Sequence, residues 1–342
     1  MDETEPDRAL LGVHAAVGVL KAVAEPTRLR LLALLARGEL NVKDLTRILN
    51  QSQPRISRHL KLLAEAGLIE RAPEGSWVYF RLADTGAGRE VAARVLKLLQ
   101  LTDPVIVRDQ IRAQSVQEER QASALSYFKS HAADWDKIRA LHVAEAEVEA
   151  AVSEALGPGP FDLLLDLGTG TGRMLELFAS RFRRGLGLDL SPAMLAYARG
   201  KLERAGVAQV QVRQGNLYDL PLTDGSADAV VMHQVLHFLS DPQRAVREAV
   251  RVLAPGGRLL IVDFAPHELE FLRDEYAHER LGFAGPLIAQ WCADAGAEVV
   301  ETRELAPRAA SQKGKLTVSL WVVRRPAVDE DTGDQPKLES AA

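Results

Sequence analysis

At 342 residues, 47% hydrophobic and 26% charged, the chain is long enough for two packed domains and too apolar for a disordered one. No apolar run approaches the ~18–20 residues that span a bilayer, and a lone cysteine, Cys292, excludes an internal disulfide framework and a thiolate metal cluster. The net charge of −5 divides unevenly, +3 over residues 1–102 and −8 over the rest, so only the N-terminal portion is compatible with nucleic acid; with an acidic start unlike a signal sequence, a cytoplasmic protein is expected.

In chain order, Leu10 to Val23 reads as a buried, Ala-rich helix, and Pro26-Thr27 opens a second that ends by Gly38. Asn41 is placed to cap a short third helix, Val42 to Leu49, and Ser52 a fourth that stops at Gly67. Two short runs, Leu68–Arg71 and Trp77–Leu82, flank the turn Pro73-Glu74-Gly75-Ser76 and predict a hairpin. Residues 84 to about 125 read as helical, with Val91, Val95, Leu98, Leu99 and Leu101 as a partner-facing stripe and a break at Pro104. Asp109 to Ser126 is polar and reads as a connecting helix or linker. From Phe161 onward short apolar strands alternate with helices, the pattern of a parallel sheet covered on both faces. The strands expected are Leu163–Leu167, Leu186–Asp189, Val210–Arg213, Ala229–His233, Arg258–Asp263, Glu298–Arg303 and Leu316–Arg324. The acidic, apolar-poor end, Pro326 to Ala342, is expected to be disordered.

The third and fourth helices form a helix-turn-helix. The fourth buries Ile56, Leu60, Leu63 and Ala64 and offers Gln53, Arg55, Ser57, Arg58, His59 and Lys61 on its other face. Side chains of these types suit base edges and phosphates in a major groove. The hairpin, with Arg71 and Arg81 near its base, would be a wing on the DNA backbone or minor groove. Ala22–Leu35, Glu39–Leu45 and Gln53–Ile69 resemble the ArsR/SmtB family of winged-helix repressors over residues 10–100. The resemblance implies a homodimer joined through the first and last helices of the domain and a palindromic double-stranded DNA operator. Where arsenic-sensing members carry two cysteines, this chain has Asn41 and Lys43, and Arg89 to Leu101 contains no histidine for the alternative family site. Metal sensing is therefore not expected.

Asp166-Leu-Gly-Thr-Gly-Thr-Gly-Arg173 follows an apolar strand, and Asp189 ends the next one. Glycines 168, 170 and 172 let backbone approach a ligand, and Asp189 is placed to accept from two ribose hydroxyls. The spacing resembles class I S-adenosylmethionine-dependent methyltransferases over residues 125–325, supported by Gly187–Leu195, Arg213–Leu222, Asp228–Pro242 and Leu253–Phe264. The resemblance places Asp166, Gly168, Thr169, Gly170 and Gly172 around the methionine portion and the turn. It places Asp189 at the ribose, Leu190 and Met194 beside the adenine, Asn216 and Leu217 at its edge and face, and His233 and Gln234 under the sulfonium end. Tyr127, Phe128 and Trp135 resemble aromatic residues that cap the ligand in relatives; core packing at a domain junction is the other reading. His233 and His237, one helical turn apart, suit proton transfer, but packing or ligand contact explains them as well, and a third metal ligand at helical spacing is lacking.

The expected architecture is thus two-domain: a mainly α winged helix-turn-helix over 1–102, a linker helix over 103–125, and an α/β Rossmann-like methyltransferase fold over 126–325 with a seven-stranded, mostly parallel sheet. The expected function is a transcriptional regulator, a repressor, whose second domain binds S-adenosylmethionine or S-adenosylhomocysteine as effector and which controls methionine-cycle genes. The alternative is an active methyltransferase acting on a small molecule under its own DNA-binding domain. No metal and no membrane partner is expected.

Overall fold

The computed structural model describes residues 11–74, 76–83, 85–140, 145–307 and 316–327. The N-terminal region holds α1 (Val13–Val23), α2 (Pro26–Leu35), β1 (Leu40–Asn41), α3 (Val42–Leu49), α4 (Gln53–Glu65), β2 (Ile69–Glu74), β3 (Trp77–Leu82) and α5 (Gly86–Leu98). Local chemistry sets these boundaries. Pro26 at the first turn of α2 lacks only an N–H that would be orphaned, and the Glu25 carboxylate accepts from the Arg28 N–H. Asn41 caps α3 by accepting from Asp44 N–H at 2.9 Å. Ser52 holds the cap position of α4, but its side chain makes no capping bond. The two-residue β1, unexpected from its sequence, pairs antiparallel with β3 and makes β3 the central strand of a three-stranded sheet.

A single 28-residue helix, α6 (Pro104–His131), leaves this region. Its first half is welded to the helix-turn-helix by charge. Arg30 donates twice to the buried Asp109 carboxylate at 2.6 and 2.7 Å, and Arg120 donates to Asp44 at 2.5 Å. Val116 joins the N-terminal core with Leu31, Ile56 and Leu60. The polar stretch Asp109–Ser126 is helix throughout, with Asp109 and Arg120 paired across to the helix-turn-helix.

The chain continues through α7 (Trp135–Ala140), α8 (Glu145–Leu156), β4 (Phe161–Leu167), α9 (Arg173–Leu177), β5 (Phe182–Asp189), α10 (Pro192–Arg204), β6 (Val210–Gln214) and β7 (Ala227–His233). It ends with α11 (Pro242–Val252), β8 (Leu253–Phe264), α12 (Phe271–Glu275), α13 (Gly285–Asp294), β9 (Glu298–Leu305) and β10 (Val318–Arg324). The seven strands order as β6-β5-β4-β7-β8-β10-β9. All neighbours up to β8 are parallel, and β10 inserts antiparallel between β8 and β9. Two apolar layers cover the sheet. One gathers Phe178, Leu195 and Leu320, the other Met232, Val250 and Trp321. Strand order reverses between β4 and β7, and the carboxyl ends of the strands beside that reversal are where an open α/β sheet offers a crevice. None of the described helices is long and apolar enough to cross a membrane. The tail expected to be disordered lies outside the described residues from position 328 onward.

Candidate functional site at the domain junction

At the carboxyl end of β4 the chain turns sharply. The N–H groups of Gly168 and Thr169 both donate to the Leu188 carbonyl of β5, tying the turn to the neighbouring strand. Gly168, Gly170 and Gly172 all have positive φ, of 74, 51 and 80°. At Gly168 a Cβ would lie 2.3 Å from Val235 Cγ2, so glycine is demanded by conformation and by space. The buried Thr169 hydroxyl donates to Asp166 at 2.6 Å. Asp189, at the tip of β5, accepts from the Gly170 N–H at 2.9 Å and the Ser191 N–H at 2.8 Å. Burial pushes its carboxyl above the ordinary range, with the backbone donors pulling the other way.

These residues line one cavity of about 650 Å³, together with Leu190, Met194, Asn216, Leu217, His233 and Gln234. Gly172 stands behind the loop, packed on Leu202 and Ala198. The Asn216 side-chain oxygen already accepts from the Tyr218 N–H at 3.0 Å, which leaves it one lone pair for a ligand amine. Gln234 is 7% exposed, sits at φ 51°, and its Nε2 is buried without a hydrogen-bond partner. The arrangement fits an adenosyl ligand. A carboxylate ends the second strand and a glycine turn brings backbone up beside it.

The aromatic residues divide. Phe128 and Trp135 line the cavity in edge contact at 5.3 Å, joined by Phe238 at 4.9 Å from Phe128, which sequence reading missed. Tyr127 turns instead onto His131 at 4.2 Å, and burial pushes its hydroxyl up to about 12. Asp136 pins this entrance to the glycine loop, accepting from Thr171 at 2.7 Å and Lys201 at 2.9 Å. His233 and His237 do not share a helix: β7 ends at His233, and His237 lies in a 3-10 turn, Leu236–Phe238. His237 Nδ1 is 2.7 Å from the fully buried Asp263. No group of residues suited to a metal ion occurs among the described residues. Cys292 is buried, its thiol pushed up to about 12 by burial.

The cavity does not end within the second domain. Leu34 of α2, Arg37, Gly38 and Glu39 of the turn that follows, and Leu40 of β1 also line it, as do residues of α6. Around that rim the domains are clasped. Arg280, 4% exposed at its side chain, donates to Glu39 at 2.8 Å and stacks 3.9 Å over the Tyr79 ring. Arg273 donates to Glu74 at 2.8 Å and lies 4.3 Å over Trp77. Arg120 bridges Asp44 and Glu279, and burial holds both carboxyls above their usual range. The tip of the β2–β3 hairpin is therefore seated on the second domain. Sequence reading could not see this, because Glu74 and Arg280 are 206 positions apart.

The face offered to solvent by α4 carries Gln53, Arg55, Ser57, Arg58 and Lys61, all exposed. His59 is turned aside, its Nδ1 3.6 Å from the Glu25 carboxylate, and burial lowers its pKa. On the hairpin Arg71 is exposed, whereas Arg81 pairs with Glu70 at 2.8 Å. Val91 and Val95 pack on their own domain's core, while Leu98 and Leu101 remain exposed.

Residues 165–261 match the family described as a methyltransferase domain, and residues 25–71 match the bacterial regulatory proteins of the arsR family. The ubiquinone/menaquinone biosynthesis C-methyltransferase UbiE of Vibrio vulnificus is 30% identical over 212 residues, 58% of this chain and 80% of that one. A demethylmenaquinone methyltransferase of Thermus thermophilus is 39% identical over 118 residues, 34% of this chain and 53% of that one. The chain spans about half the length of the first curated relatives it matches. A chain of the solved complex between the Haloferax volcanii Trm112 methyltransferase activator and a methyltransferase superposes with a TM-score of 0.50. It is 24% identical and covers 58% of this chain and 97% of that chain, a shared fold.

Proposed function

For a chain that belongs to the S-adenosylmethionine-dependent methyltransferase family and carries an ArsR-family helix-turn-helix domain, we propose a DNA-binding regulator whose methyltransferase-like domain is its sensor. The effector in this reading is S-adenosylmethionine or S-adenosylhomocysteine. The observation that carries it is the shared cavity: the glycine loop and Asp189 line the same space as the α2–β1 turn of the DNA-binding domain. A ligand there bears on both domains at once. Coupling of about 1–3 kcal/mol between two such sites changes operator affinity about 5–150-fold. Asp189 would hold the ribose, Leu190, Met194 and Leu217 the adenine, and Gly168 and Gly170 the backbone approach. When bound, S-adenosylmethionine supplies an electrophilic methyl group.

Gln53, Arg55, Ser57, Arg58 and Lys61 would meet a palindromic operator from a homodimer, with Arg71 on its backbone. Val13, Val17 and Leu20, exposed one and two turns apart on α1, and the exposed Leu98 support a dimer face. The homodimer reading expects Leu98→Glu to sediment as a monomer; an unchanged dimer removes that face from the interface. Genes of the methionine cycle are the expected targets.

The test is operator binding titrated with each ligand. A change in affinity with one of them supports the sensor; identical affinity with and without both defeats it. The likeness to C-methyltransferases favours a second reading, an enzyme that consumes the ligand. Release of S-adenosylhomocysteine from labelled S-adenosylmethionine across an acceptor panel distinguishes the two, since a sensor releases none.

A further inference from the structure

We propose that the tip of the β2–β3 hairpin is the transmission arm between the junction cavity and the DNA-reading helix α4, and not a contact to DNA. The proposal rests on the reading that the cavity holds S-adenosylmethionine or S-adenosylhomocysteine as effector.

The tip has the wrong charge for a DNA groove and the right groups for the second domain. Residues 73–77 include Glu74 and no lysine or arginine, while DNA presents a dense line of phosphates. Arg71, an exposed cation of the hairpin, stands nearer its base. Glu74 accepts from the Leu281 N–H as well as from Arg273, and the Ser76 N–H donates to the Glu270 carboxylate. The hydroxyl of Tyr79, a residue 2% exposed, donates to the Glu279 carbonyl at 3.0 Å. Seated there, these groups cannot enter a groove at the same time.

The seat is hung from the cavity wall. Phe238 packs on Phe128 in that wall, and it ends the 3-10 turn Leu236–Phe238. The carbonyl of its neighbour His237 accepts from the N–H groups of both Glu279 and Arg280, at 2.8 and 3.0 Å. Asp263 fixes the turn: one carboxylate oxygen meets the His237 ring, the other the Leu236 and His237 N–H groups at 3.0 and 3.3 Å. A shift of Phe238 therefore carries His237, and with it the residues that hold Tyr79 and Glu39.

At the other end, only Ala66, Gly67 and Leu68 separate α4 from β2. The Leu68 N–H donates to the Leu63 carbonyl of α4, and Ile69 and Phe80 are buried with Ile56, Leu60 and Leu63. The hairpin and α4 thus move as one packed body. A ligand biases the arm to the extent that it packs more tightly on one position of the Phe238 turn than on another.

The test uses the full chain, S-adenosylhomocysteine, and a DNA duplex that the chain itself selects from a random-sequence pool. Glu74→Gln and Trp77→Ala cut the arm at residues outside both the cavity lining and the exposed face of α4. Tyr79→Phe removes a single hydroxyl, and Arg273 still satisfies the Glu279 carbonyl. In the wild type S-adenosylhomocysteine should change duplex affinity about 5–150-fold and alter hydrogen exchange of the hairpin amides. In Glu74→Gln and Trp77→Ala the change in duplex affinity should shrink to about twofold or less, while S-adenosylhomocysteine binds as tightly as before. Should those two lose the fold, Tyr79→Phe decides alone: its ligand effect must be smaller than that of the wild type. A ligand effect of wild-type size in the folded variants, unchanged hairpin exchange on ligand binding, or ultraviolet crosslinking of Trp77 to a bromouracil-substituted duplex overturns the proposal. Failure of S-adenosylhomocysteine to bind the wild type defeats the cavity reading, on which the arm depends. Binding that leaves duplex affinity unchanged defeats the sensor reading and the arm with it.

Discussion

Replacing Asp189 by Asn tests the donor end of the cavity at its most informative atoms. The carboxylate accepts from Gly170 at Oδ2 and from Ser191 at Oδ1, and in the proposed reading its charge also meets two hydroxyls of a ribose. Asn keeps one acceptor oxygen and turns an NH₂ toward the other backbone donor. That donor is left unpaired, at about 1–3 kcal/mol of loop stability. Hydrogen bonds to a charged group contribute about 1.5–3 kcal/mol, so losing the charge weakens S-adenosylhomocysteine about 10–150-fold. Burial raises the wild-type carboxyl, so its ionised, strongly accepting form exists only above that raised value. Affinity should be full above the raised value and fall as pH drops through it, before an ordinary carboxylate would protonate. In the Asn variant this pH dependence should vanish. Calorimetry across pH, with thermal melts of the unliganded proteins, measures both effects. Equal affinity and an equal pH profile in the two proteins would refute the assignment of Asp189 to the ligand.

Three further outcomes follow from the geometry. Gly168→Ala forces a left-handed alanine against Val235, at about 1–2 kcal/mol for the backbone and about 1–3 for the overpacking; Val235→Ala in the same chain should recover part of the lowered melting temperature, and no recovery would deny the clash. Arg280→Met leaves Glu39 and Glu74 facing a buried wall, a loss of about 3–5 kcal/mol bounded by the cost of undocking the domains. Hydrogen exchange should rise at the hairpin and around Arg273, and unchanged protection there would contradict the clasp. Arg55→Ala and Arg58→Ala should weaken operator binding, and for each arginine that neutralises a phosphate the salt slope should become shallower by about 0.9; unaltered affinity and slope would remove α4 from the interface.

Much of this was legible in the residues because local chemistry decides it. Pro26, Asn41 and the glycine turn fixed element ends that depend on nearest neighbours only, and alternation of apolar strands with helices was enough for the parallel sheet. Asp166 to Gly172 and Asp189 come together for the same reason, since they lie at the ends of adjacent strands. What escaped was set by distant partners. Composition read Asp109–Ser126 as a connecting helix or linker; it is helix, but its docking on the helix-turn-helix, with Asp109 buried against Arg30 and the half-buried Arg120 paired with Asp44, was not legible. Helical spacing joined His233 to His237, but a strand end intervenes and Asp263, 26 positions on, claims the second ring. Phe238 gave no signal, because its place in the aromatic wall depends on α6 arriving from the other domain.

The cavity whose wall is divided between two domains has a consequence for how such proteins diversify. Domains joined by a passive tether can be exchanged between relatives, each keeping its own specificity. Here, if the cavity binds the proposed effector, a change in ligand preference can arise at Arg37 or Leu40, inside the helix-turn-helix half, and a change at Glu39 reaches Arg280 in the other half. Grafting the second half onto another helix-turn-helix would replace part of the cavity wall and the partner of Arg280.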